Sequence, residues 1–295
     1  MRQDIGSACP ATVDGMPDPV PVYVVDAFTE SAFGGNPAGI VLLDGPREDA
    51  WLQSVAAEMR HSETAFLEPL PDPSLDPAPI GLRWFTPTVE IDLCGHATLA
   101  SGHVLYRLGF TGRLSFSTRS GILAVDPGPA GSLVLDFPAR PPSPASDVPG
   151  LADALGAIPV WVGRGGDRDV FVEVRDESTL RSLMPDFAKL STVEARGVIV
   201  TALADNASTY DVVTRFFAPA SGINEDPVTG SAHTAVAPYW AQRLGCNDLV
   251  GYQASERGGV IQLQVVGDRV RLGGHAVTIL EGMLVAPVLT FDTTG

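Results

Sequence analysis

The chain has 295 residues, which is long enough for one large domain or for two domains of ordinary size. Its formal net charge of −16 at pH 7 argues against nucleic-acid binding, because a phosphate-binding surface needs a basic stripe. No apolar run approaches the length of a membrane span, and residues 1–20 lack the apolar segment of a secretory signal. The three cysteines, Cys9, Cys94 and Cys246, show no disulfide or CxxC spacing. We therefore expect a protein of the reducing cytoplasm that binds neither nucleic acid nor a membrane.

The first half of the chain predicts many short strands and two helices. Residues 1–20 are expected to be a flexible extension, and residues 21–139 to form an N-terminal domain. Short apolar runs between Gly and Pro residues predict strands, and apolar residues at helical spacing predict helices. In chain order the predicted elements are a strand at 22–28, a Gly-rich turn at 33–39, a strand at 40–43, a helix at 48–59, a strand at 60–67, a loop at 71–79, a strand at 82–85, a helix at 95–108, and strands at 113–117, 121–125 and 133–137.

A Pro- and Ser-rich stretch at 140–149 predicts a linker, and the order of elements repeats after it. Residues 150–286 are expected to form the second domain, with the alternative that its last strands pack back on the first. The predicted elements are a helix at 151–155, a strand at 160–163, a turn at 164–168, a strand at 170–174, a helix at 179–183, strands at 197–202 and 211–217, a helix at 230–244, and strands at 260–266, 269–272 and 274–284.

Two stretches that begin at Gly95 and Gly230 indicate an internal duplication. Both continue with a polar residue, Ala, a polar residue, one further residue and Ala. Each copy follows a Phe-x-Pro segment and each runs on to Leu-Gly, so three landmarks recur in the same order. One long apolar helix per half, among many short strands, predicts an α+β fold of two pseudo-symmetric domains. In each domain a mostly antiparallel sheet or barrel wraps around its central helix.

The starts of the two central helices predict a site for an anionic ligand. Neither helix contains an acidic residue, although first turns normally favour acids that complement the helix dipole. The free N–H groups near Gly95 and His96, and near Gly230 and Ser231, could then bind a carboxylate in a cleft between the domains. The alternative is that both helices are simply core, capped by Cys94 and Thr229.

The same residues resemble the phenazine-biosynthesis isomerase (PhzF-like) family over about residues 21–286. The resemblance is carried by Ser62-Glu63-Thr64-Ala65-Phe66, Cys94-Gly95-His96-Ala97-Thr98 and Asp226-Pro227-Val228-Thr229-Gly230-Ser231-Ala232-His233. Supporting segments are Asp26-Ala27-Phe28, Gly35-Asn36-Pro37-Ala38-Gly39, Thr118-Arg119-Ser120-Gly121 and Leu272-Gly273-Gly274. The resemblance implies a diaminopimelate-epimerase-like fold and a homodimer. It also implies a cofactor-independent isomerase, similar to trans-2,3-dihydro-3-hydroxyanthranilate isomerase, that shifts a proton on a small cyclic carboxylate.

In such an isomerase the residue that matches Glu63 is the general acid/base. The resemblance also implies that His96, Asp226 and Ser231 position or polarise the substrate, and Gly274 is a further possible binding position. This chemistry needs one base and donors for the developing charge, with no metal or organic cofactor. Burial would raise the pKa of a glutamate into a useful range. No histidine pair has the spacing of a metal site, so the sequence predicts none.

Cys94 supports an alternative hypothesis. Related racemases and epimerases of this fold carry a catalytic thiol before each of the two glycines, whereas this chain has Cys94 before the first and Thr229 before the second. Threonine cannot act as a thiolate base, which disfavours a two-base racemase. A Cys/Thr pair resembles hydroxyproline dehydratases, so a Cys94-dependent enzyme acting on proline-like substrates stays open. A non-catalytic small-molecule-binding homologue is the third hypothesis.

Overall fold

The computed structural model describes residues 19–68, 79–145, 148–165 and 168–285. The expected extension at 1–20 falls outside this part of the chain except for its last two residues. The loop expected at 71–79 also falls outside it, except for residue 79. Among the described residues, no helix is both long enough and apolar enough to cross a bilayer.

Among the residues that the structure describes, the first half contributes eight strands and two α-helices. In chain order they are β1 (Val20–Ala27), β2 (Asn36–Leu42), α1 (Asp49–Met59), β3 (Glu63–Leu67), β4 (Ile80–Phe85), β5 (Glu90–Ile91), α2 (Gly95–Arg107), β6 (Leu114–Thr118), β7 (Gly121–Pro127) and β8 (Leu133–Pro138). Strands β1, β2 and β3 are buried along most of their length, which explains their near-continuous apolar sequence.

The described part of the second half contributes nine strands and four α-helices. They are β9 (Ser143–Pro144), α3 (Leu151–Leu155), β10 (Trp161–Gly165), β11 (Asp169–Glu173), α4 (Glu177–Arg181), α5 (Phe187–Leu190), β12 (Val198–Leu203), β13 (Val212–Phe217), α6 (Gly230–Leu244), β14 (Asp248–Gln253), β15 (Gly259–Val266), β16 (Arg269–Gly274) and β17 (Ala276–Leu284).

The two halves repeat one strand order. In the first half β1 pairs with β2, β2 with β3, β3 with β4, β4 with β6, β6 with β7 and β7 with β8; of these, β2–β3 and β4–β6 are parallel. In the second half β10 to β16 follow one another in the same way, and the parallel pairs β11–β12 and β13–β14 occupy the corresponding places. Strand β8 pairs with β16, which joins the two sheets along one edge. The α+β fold predicted from the duplication is confirmed.

One further strand follows β8 and one follows β16, and each of them pairs with the first strand of the other sheet. Strand β17 pairs antiparallel with β1 over its whole length, from Leu284 opposite Val20 to Ala276 opposite Ala27. The short strand β9, which follows β8, pairs with β10 of the second half. The chain therefore exchanges strands between its two halves, so neither half is a closed sheet formed from consecutive residues.

The central helices α2 and α6 are buried in the sheets that surround them. On α2, Leu99, Val104 and Leu105 are at most 1% exposed, and each contributes about 1.5–3 kcal/mol by leaving water. The two helices meet at their N-terminal ends, because a Cβ added at Gly95 would lie 3.5 Å from the Cα of Gly230. The duplicated glycines thus lie at the contact between the halves, which brings both helix starts to one place.

The structure differs from the sequence prediction in several elements. The turn expected at 33–39 ends early, because β2 already begins at Asn36, and the linker expected at 140–149 contains β9. The helix expected at 179–183 is α4, which begins at Glu177 after its N-cap Asp176. Strands β5 and β14 and helix α5 were not predicted. Local turn chemistry favoured a turn around Asn36, whereas pairing with β1 places it in the sheet.

Candidate active site

Glu63, Cys94 and His96 come together where the beginning of β3 meets the start of α2. Glu63 is the first residue of β3 and lies opposite Ala38 of β2 in the parallel ladder. Cys94 is the N-cap residue of α2, and His96 is in its first turn. Nε2 of His96 lies 3.4 Å from Oε2 of Glu63, and Nδ1 of the same ring lies 3.5 Å from Sγ of Cys94. The glutamate side chain is 12% exposed and that of His96 is 5% exposed, so this cluster is largely shielded from water.

Asn36 links this cluster to Asp226 in the other half of the molecule. Its Nδ2 donates to Oδ1 of Asp226 over 2.8 Å and to the carbonyl oxygen of Val228 over 2.9 Å, and it lies 3.3 Å from Nδ1 of His96. Both acceptors require a donor, which fixes the orientation of the amide. Its Oδ1 is buried and has no hydrogen-bond partner among the described residues. Because such an atom is costly when left unpaired, it is a natural acceptor for a bound substrate.

A glycine holds the backbone that presents Asn36. Gly35 has φ +61°, in the left-handed region, and a Cβ there would lie 2.1 Å from the carbonyl oxygen of Ala27. Arg257 donates to the carbonyl oxygens of Gly34 and Gly35 and to Oδ1 of Asp26, which is buried. Arg257 lies in the β14–β15 turn of the second half, and its hydrogen bonds thereby hold the turn that precedes Asn36 in the first half.

Gln253, the last residue of β14, holds the loop between Asp226 and Thr229. Its Oε1 accepts from the backbone N–H of Thr229 over 2.8 Å, and its Nε2 donates to the backbone carbonyl of Asp226 over 2.7 Å. The Thr229 hydroxyl in turn donates to Oδ2 of Asp226. Both carboxylate oxygens of Asp226 therefore accept hydrogen bonds, one from Asn36 and one from Thr229, and its position is set from both sides.

Neither central helix uses a side chain as an N-cap. Cys94 and Thr229 occupy the two N-cap positions, and neither side chain hydrogen-bonds to the first turn. The hydroxyl of Thr229 is directed to Asp226 instead. The capping that was considered as the alternative from the sequence is thus absent in these described helices, and their first-turn N–H groups are left to other acceptors.

A small cavity lies beside the helix starts and is lined by residues from both halves. Its lining residues are Leu93, Gly95, Phe137, Pro138, Arg140, Ser231 and Thr234. Ser231 lies in this lining, and its Oγ accepts a hydrogen bond from Nη2 of Arg196 over 3.2 Å. A cavity with two helix starts and an arginine in its wall suits an anionic group.

Burial sets the protonation of the cluster. It raises the pKa of the Glu63 carboxyl to about 8, with the charge of Asp226 adding to the rise and a hydrogen bond with Cys94 opposing it. Burial also raises the pKa of Asp226 to about 6, against hydrogen bonds from Thr229 and Asn36. It lowers the pKa of His96 to about 3. At pH 7 the cluster therefore contains a mostly protonated Glu63, an ionised Asp226 and a neutral imidazole.

The Cys94 thiol is in an environment that disfavours a thiolate. Burial raises its pKa well above the ordinary value, and the charge of Glu63 adds to this rise. A thiol that acts as a base needs a depressed pKa. The surroundings of Cys94 thus disfavour the alternative in which it carries the proton.

The remaining candidates have structural neighbours of their own. Gly274 packs on Phe28, because a Cβ there would lie 2.4 Å from the ring. His233 is buried in α6, where its Nδ1 lies 2.8 Å from the carbonyl oxygen of Thr229.

Sequence reasoning missed Asn36, Gln253 and Arg196 as residues around the site. The Asn36-Pro37 pair after two glycines was the available signal in the sequence, and its local pattern predicts a turn.

The comparisons with known proteins agree with this architecture. A family model described as "Phenazine biosynthesis-like protein" matches residues 25–282. A Halalkalibacterium halodurans protein named an uncharacterized isomerase is 46% identical over 269 residues, which cover 90% of this chain and 98% of that protein. The crystal structure of a PhzF-family phenazine biosynthesis protein from Enterococcus faecalis superimposes with a TM-score of 0.83 at 40% identity, covering 90% of this chain and 99% of that one.

A more distant structure shows the fold alone. It is a hydroxyproline epimerase from Agrobacterium vitis, with a TM-score of 0.57 at 11% identity over 91% of this chain and 92% of that one. The fold is therefore shared with epimerases, and the family assignment rests on the closer matches. With its family model spanning most of the chain, and with relatives matched over nearly their whole length, this chain belongs to the PhzC-PhzF family of phenazine biosynthesis-like proteins.

Proposed function

We propose that the protein is a cofactor-independent isomerase that moves a proton between two carbons of a small, cyclic, carboxylate-bearing substrate. The observation that carries the proposal is the buried Glu63 carboxyl, whose pKa is raised to about 8 beside a neutral His96. A group with a pKa near the working pH both accepts and donates a proton efficiently. The related proteins named as isomerases support the same class of reaction.

The proton transfer would proceed in two steps with the electrons kept in the substrate. The ionised form of Glu63 removes a proton from one carbon, and the electron pair of that C–H bond shifts into the conjugated system of the ring. The carboxylic acid of Glu63 then returns the proton to a second carbon. His96 would position the substrate next to Glu63, and Asp226, held by Asn36 and Thr229, would orient a polar substituent of the ring.

The helix starts would hold the carboxylate of the substrate. Backbone N–H groups near Gly95 and Ser231 border a cavity that draws residues from both halves, and N–H groups at helix starts bind anions. They are fixed before the reaction, so they could also stabilise charge that develops on the carboxylate in the transition state. The negative charge of the whole protein opposes this ligand, which makes these local donors necessary.

Solvent-exchange NMR in deuterium oxide tests the proposal. With trans-2,3-dihydro-3-hydroxyanthranilate and other small cyclic amino-carboxylates as probes, we expect the protein to introduce deuterium at a ring carbon of at least one probe. Glu63→Gln should abolish the exchange, whereas the matched replacement of the exposed Glu58 should leave it unchanged. Exchange that survives in Glu63→Gln would refute the role of Glu63.

The Cys94 hypothesis makes the opposite prediction for a second variant. Cys94→Ala should retain the exchange if Glu63 carries the proton, and it should lose the exchange if the thiol does. A homodimer, as the family resemblance implies, is part of the proposal and can be checked by light scattering of the purified protein. A protein that binds a probe without any exchange would be a non-catalytic homologue.

A further inference from the structure

The cluster at the candidate active site has the composition of a metal site. One ligand atom from each of Glu63, Cys94 and His96 lies within 4.8 Å of the other two. The sequence did not predict this grouping, because Glu63 lies on a strand that is distant along the chain from Cys94 and His96, and those two residues show no recognised metal spacing. The fold alone brings a carboxylate, a thiol and an imidazole together.

The three side chains lie close to the separations that ligands of one tetrahedral ion require. Zn²⁺ binds nitrogen and oxygen at roughly 2.0–2.2 Å and sulfur at about 2.3 Å, so adjacent ligand atoms lie about 3.3–3.6 Å apart. Here Oε2 of Glu63 is 3.4 Å from one His96 nitrogen, and Sγ of Cys94 is 3.5 Å from the other. Because one ion uses only one of those nitrogens, the third ligand atom would have to move in from a separation of up to 4.8 Å.

A second observation points to a ligand at this position. Nε2 of His96 is buried, and it has no hydrogen-bond partner among the described residues. Its contact with Glu63 over 3.4 Å lacks the alignment of a hydrogen bond. A buried imidazole nitrogen without a partner is the kind of atom that a bound group is expected to satisfy. This nitrogen lies next to the Glu63 carboxylate, which would be another ligand of the same metal ion.

The ligand types select the kind of ion. Thiolate and imidazole favour Zn²⁺ and similar ions over Mg²⁺ and Ca²⁺, which prefer oxygen ligands throughout. Binding of the ion would displace the protons of the Cys94 thiol and the Glu63 carboxyl into the solvent. The resulting thiolate and carboxylate together carry two negative charges, which balance a divalent ion. Three protein ligands leave a fourth position for water, as in open zinc sites.

We propose that Glu63, Cys94 and His96 form a binding site for a divalent ion of the Zn²⁺ type, and that the bound ion inhibits the enzyme by occupying the Glu63 carboxylate. The metal site stands on the geometry alone, whereas the inhibition rests on the proposed function. The ion is thus an inhibitor of the isomerase and has no part in its reaction.

Cobalt spectroscopy tests the site without reference to activity. Replacing Cys9 and Cys246 by serine leaves Cys94 as the only thiol of the chain. Titration of this variant with Co²⁺ should give a thiolate-to-cobalt charge-transfer band that saturates at one equivalent and disappears when Zn²⁺ is added. Absence of the band, or a band that persists after Cys94→Ser, would overturn the proposal.

Two further measurements cover the other ligands and the folding of the variants. His96→Asn and Glu63→Gln should each weaken Co²⁺ binding at least about tenfold, since even outer-shell changes at metal sites commonly have effects of roughly 10–100-fold. In the variant with Cys94 as its only thiol, Zn²⁺ should also protect that thiol from alkylation, which needs no change at the site itself. An alkylation rate that Zn²⁺ leaves unchanged would contradict the proposal even if the ligand variants failed to fold.

The inhibition is measured separately. Zn²⁺ should suppress deuterium exchange with the same dissociation constant that it shows in displacing Co²⁺. Exchange that continues at saturating Zn²⁺ would overturn the inhibitory role. If the protein catalyses no exchange with any probe, the proposed isomerase function fails, while the cobalt titration still decides whether the metal site exists.

Discussion

Replacing Glu63 by glutamine should stabilise the protein while it removes proton transfer. The ordinary pKa of this carboxyl is 4.5, and in the folded protein it is raised to about 8. Below pH 4.5 the carboxyl is protonated in both the folded and the unfolded state, so it does not change stability. Between pH 4.5 and 8 the unfolded chain ionises while the folded protein keeps its proton, so stability falls as pH rises. Glutamine stays neutral and avoids this loss.

The size of the effect follows from the two pKa values. A pKa difference of one corresponds to about 1.36 kcal/mol, so the wild type loses roughly 3 kcal/mol at pH 7 and less than about 1 kcal/mol at pH 5. Glu63→Gln should recover this amount. For 295 residues, an unfolding entropy of about 2.1 cal/mol/K per residue converts 3 kcal/mol into roughly 5 °C of melting temperature.

Thermal unfolding of the wild type and the variant at pH 5 and pH 7 provides the assay. The difference in melting temperature should be small at pH 5 and about 5 °C in favour of the variant at pH 7. Glu58→Gln, which changes an exposed glutamate on α1, serves as the control and should show no such pH dependence. A Glu63→Gln variant whose advantage does not grow with pH would refute the assignment of a raised pKa to this carboxyl.

Three further predictions concern the residues around the site. Asn36→Ala leaves two buried acceptors without their donor, so it should lower the free energy of unfolding by about 2–4 kcal/mol and reduce exchange; urea unfolding that matches the wild type would contradict this. Arg257→Ala leaves the buried Asp26 carboxylate without its cationic partner and should cost about 3–5 kcal/mol. Adding Asp26→Asn should recover part of this loss, and a double-mutant cycle without coupling would exclude the pair as a link between the halves. In Gly95→Ala the new Cβ would lie 3.5 Å from the Cα of Gly230, an ordinary contact, so the melting temperature should change little. The dissociation constant for a carboxylate probe should nevertheless rise about tenfold as the backbone becomes less accessible, and calorimetric titration that shows unchanged affinity would argue against the helix starts as its site.

The sequence predicted the features that depend on local pattern or on the duplication. Helices α2 and α6 are apolar on most sides and start at repeated glycines, so their limits and their burial could be derived from the residues. The fold class followed because each half contained one such helix among short strands. These features need no knowledge of distant contacts, which is why they could be read from one chain.

The sequence did not reveal features whose cause lies far along the chain. Asn36 follows two glycines and precedes a proline, a local pattern typical of a turn, and only its bonds to Asp226 and Val228 explain its place at the start of β2. Strand β14 contains Gly251, which weakens a strand in local terms. In the fold this glycine accommodates Leu263 and His233, since a Cβ there would lie 3.2 Å and 3.4 Å from their side chains.

For the candidate site, the sequence likewise identified individual residues but not their contacts in space. The resemblance pointed to Glu63, His96 and Asp226 by motif, and the structure brings the first two together. The resemblance could not show that Ser231 hydrogen-bonds to Arg196, nor that Cys94 lies close to both Glu63 and His96. Those relations depend on how two elements meet in space, and no spacing along the chain encodes them.

The exchanged strand β17 also sets the order in which this protein can fold during synthesis. Strand β1 is among the first described residues to leave the ribosome, but its outer neighbour spans Ala276–Leu284. The nearest paired residues, Ala27 and Ala276, are separated by 276 − 27 = 249 positions, which take roughly 12–50 s to synthesise at about 5–20 residues per second. For that period one edge of the first sheet stays unpaired, and open edges invite association with other chains. A nascent chain of this protein therefore depends on its own last strand for protection.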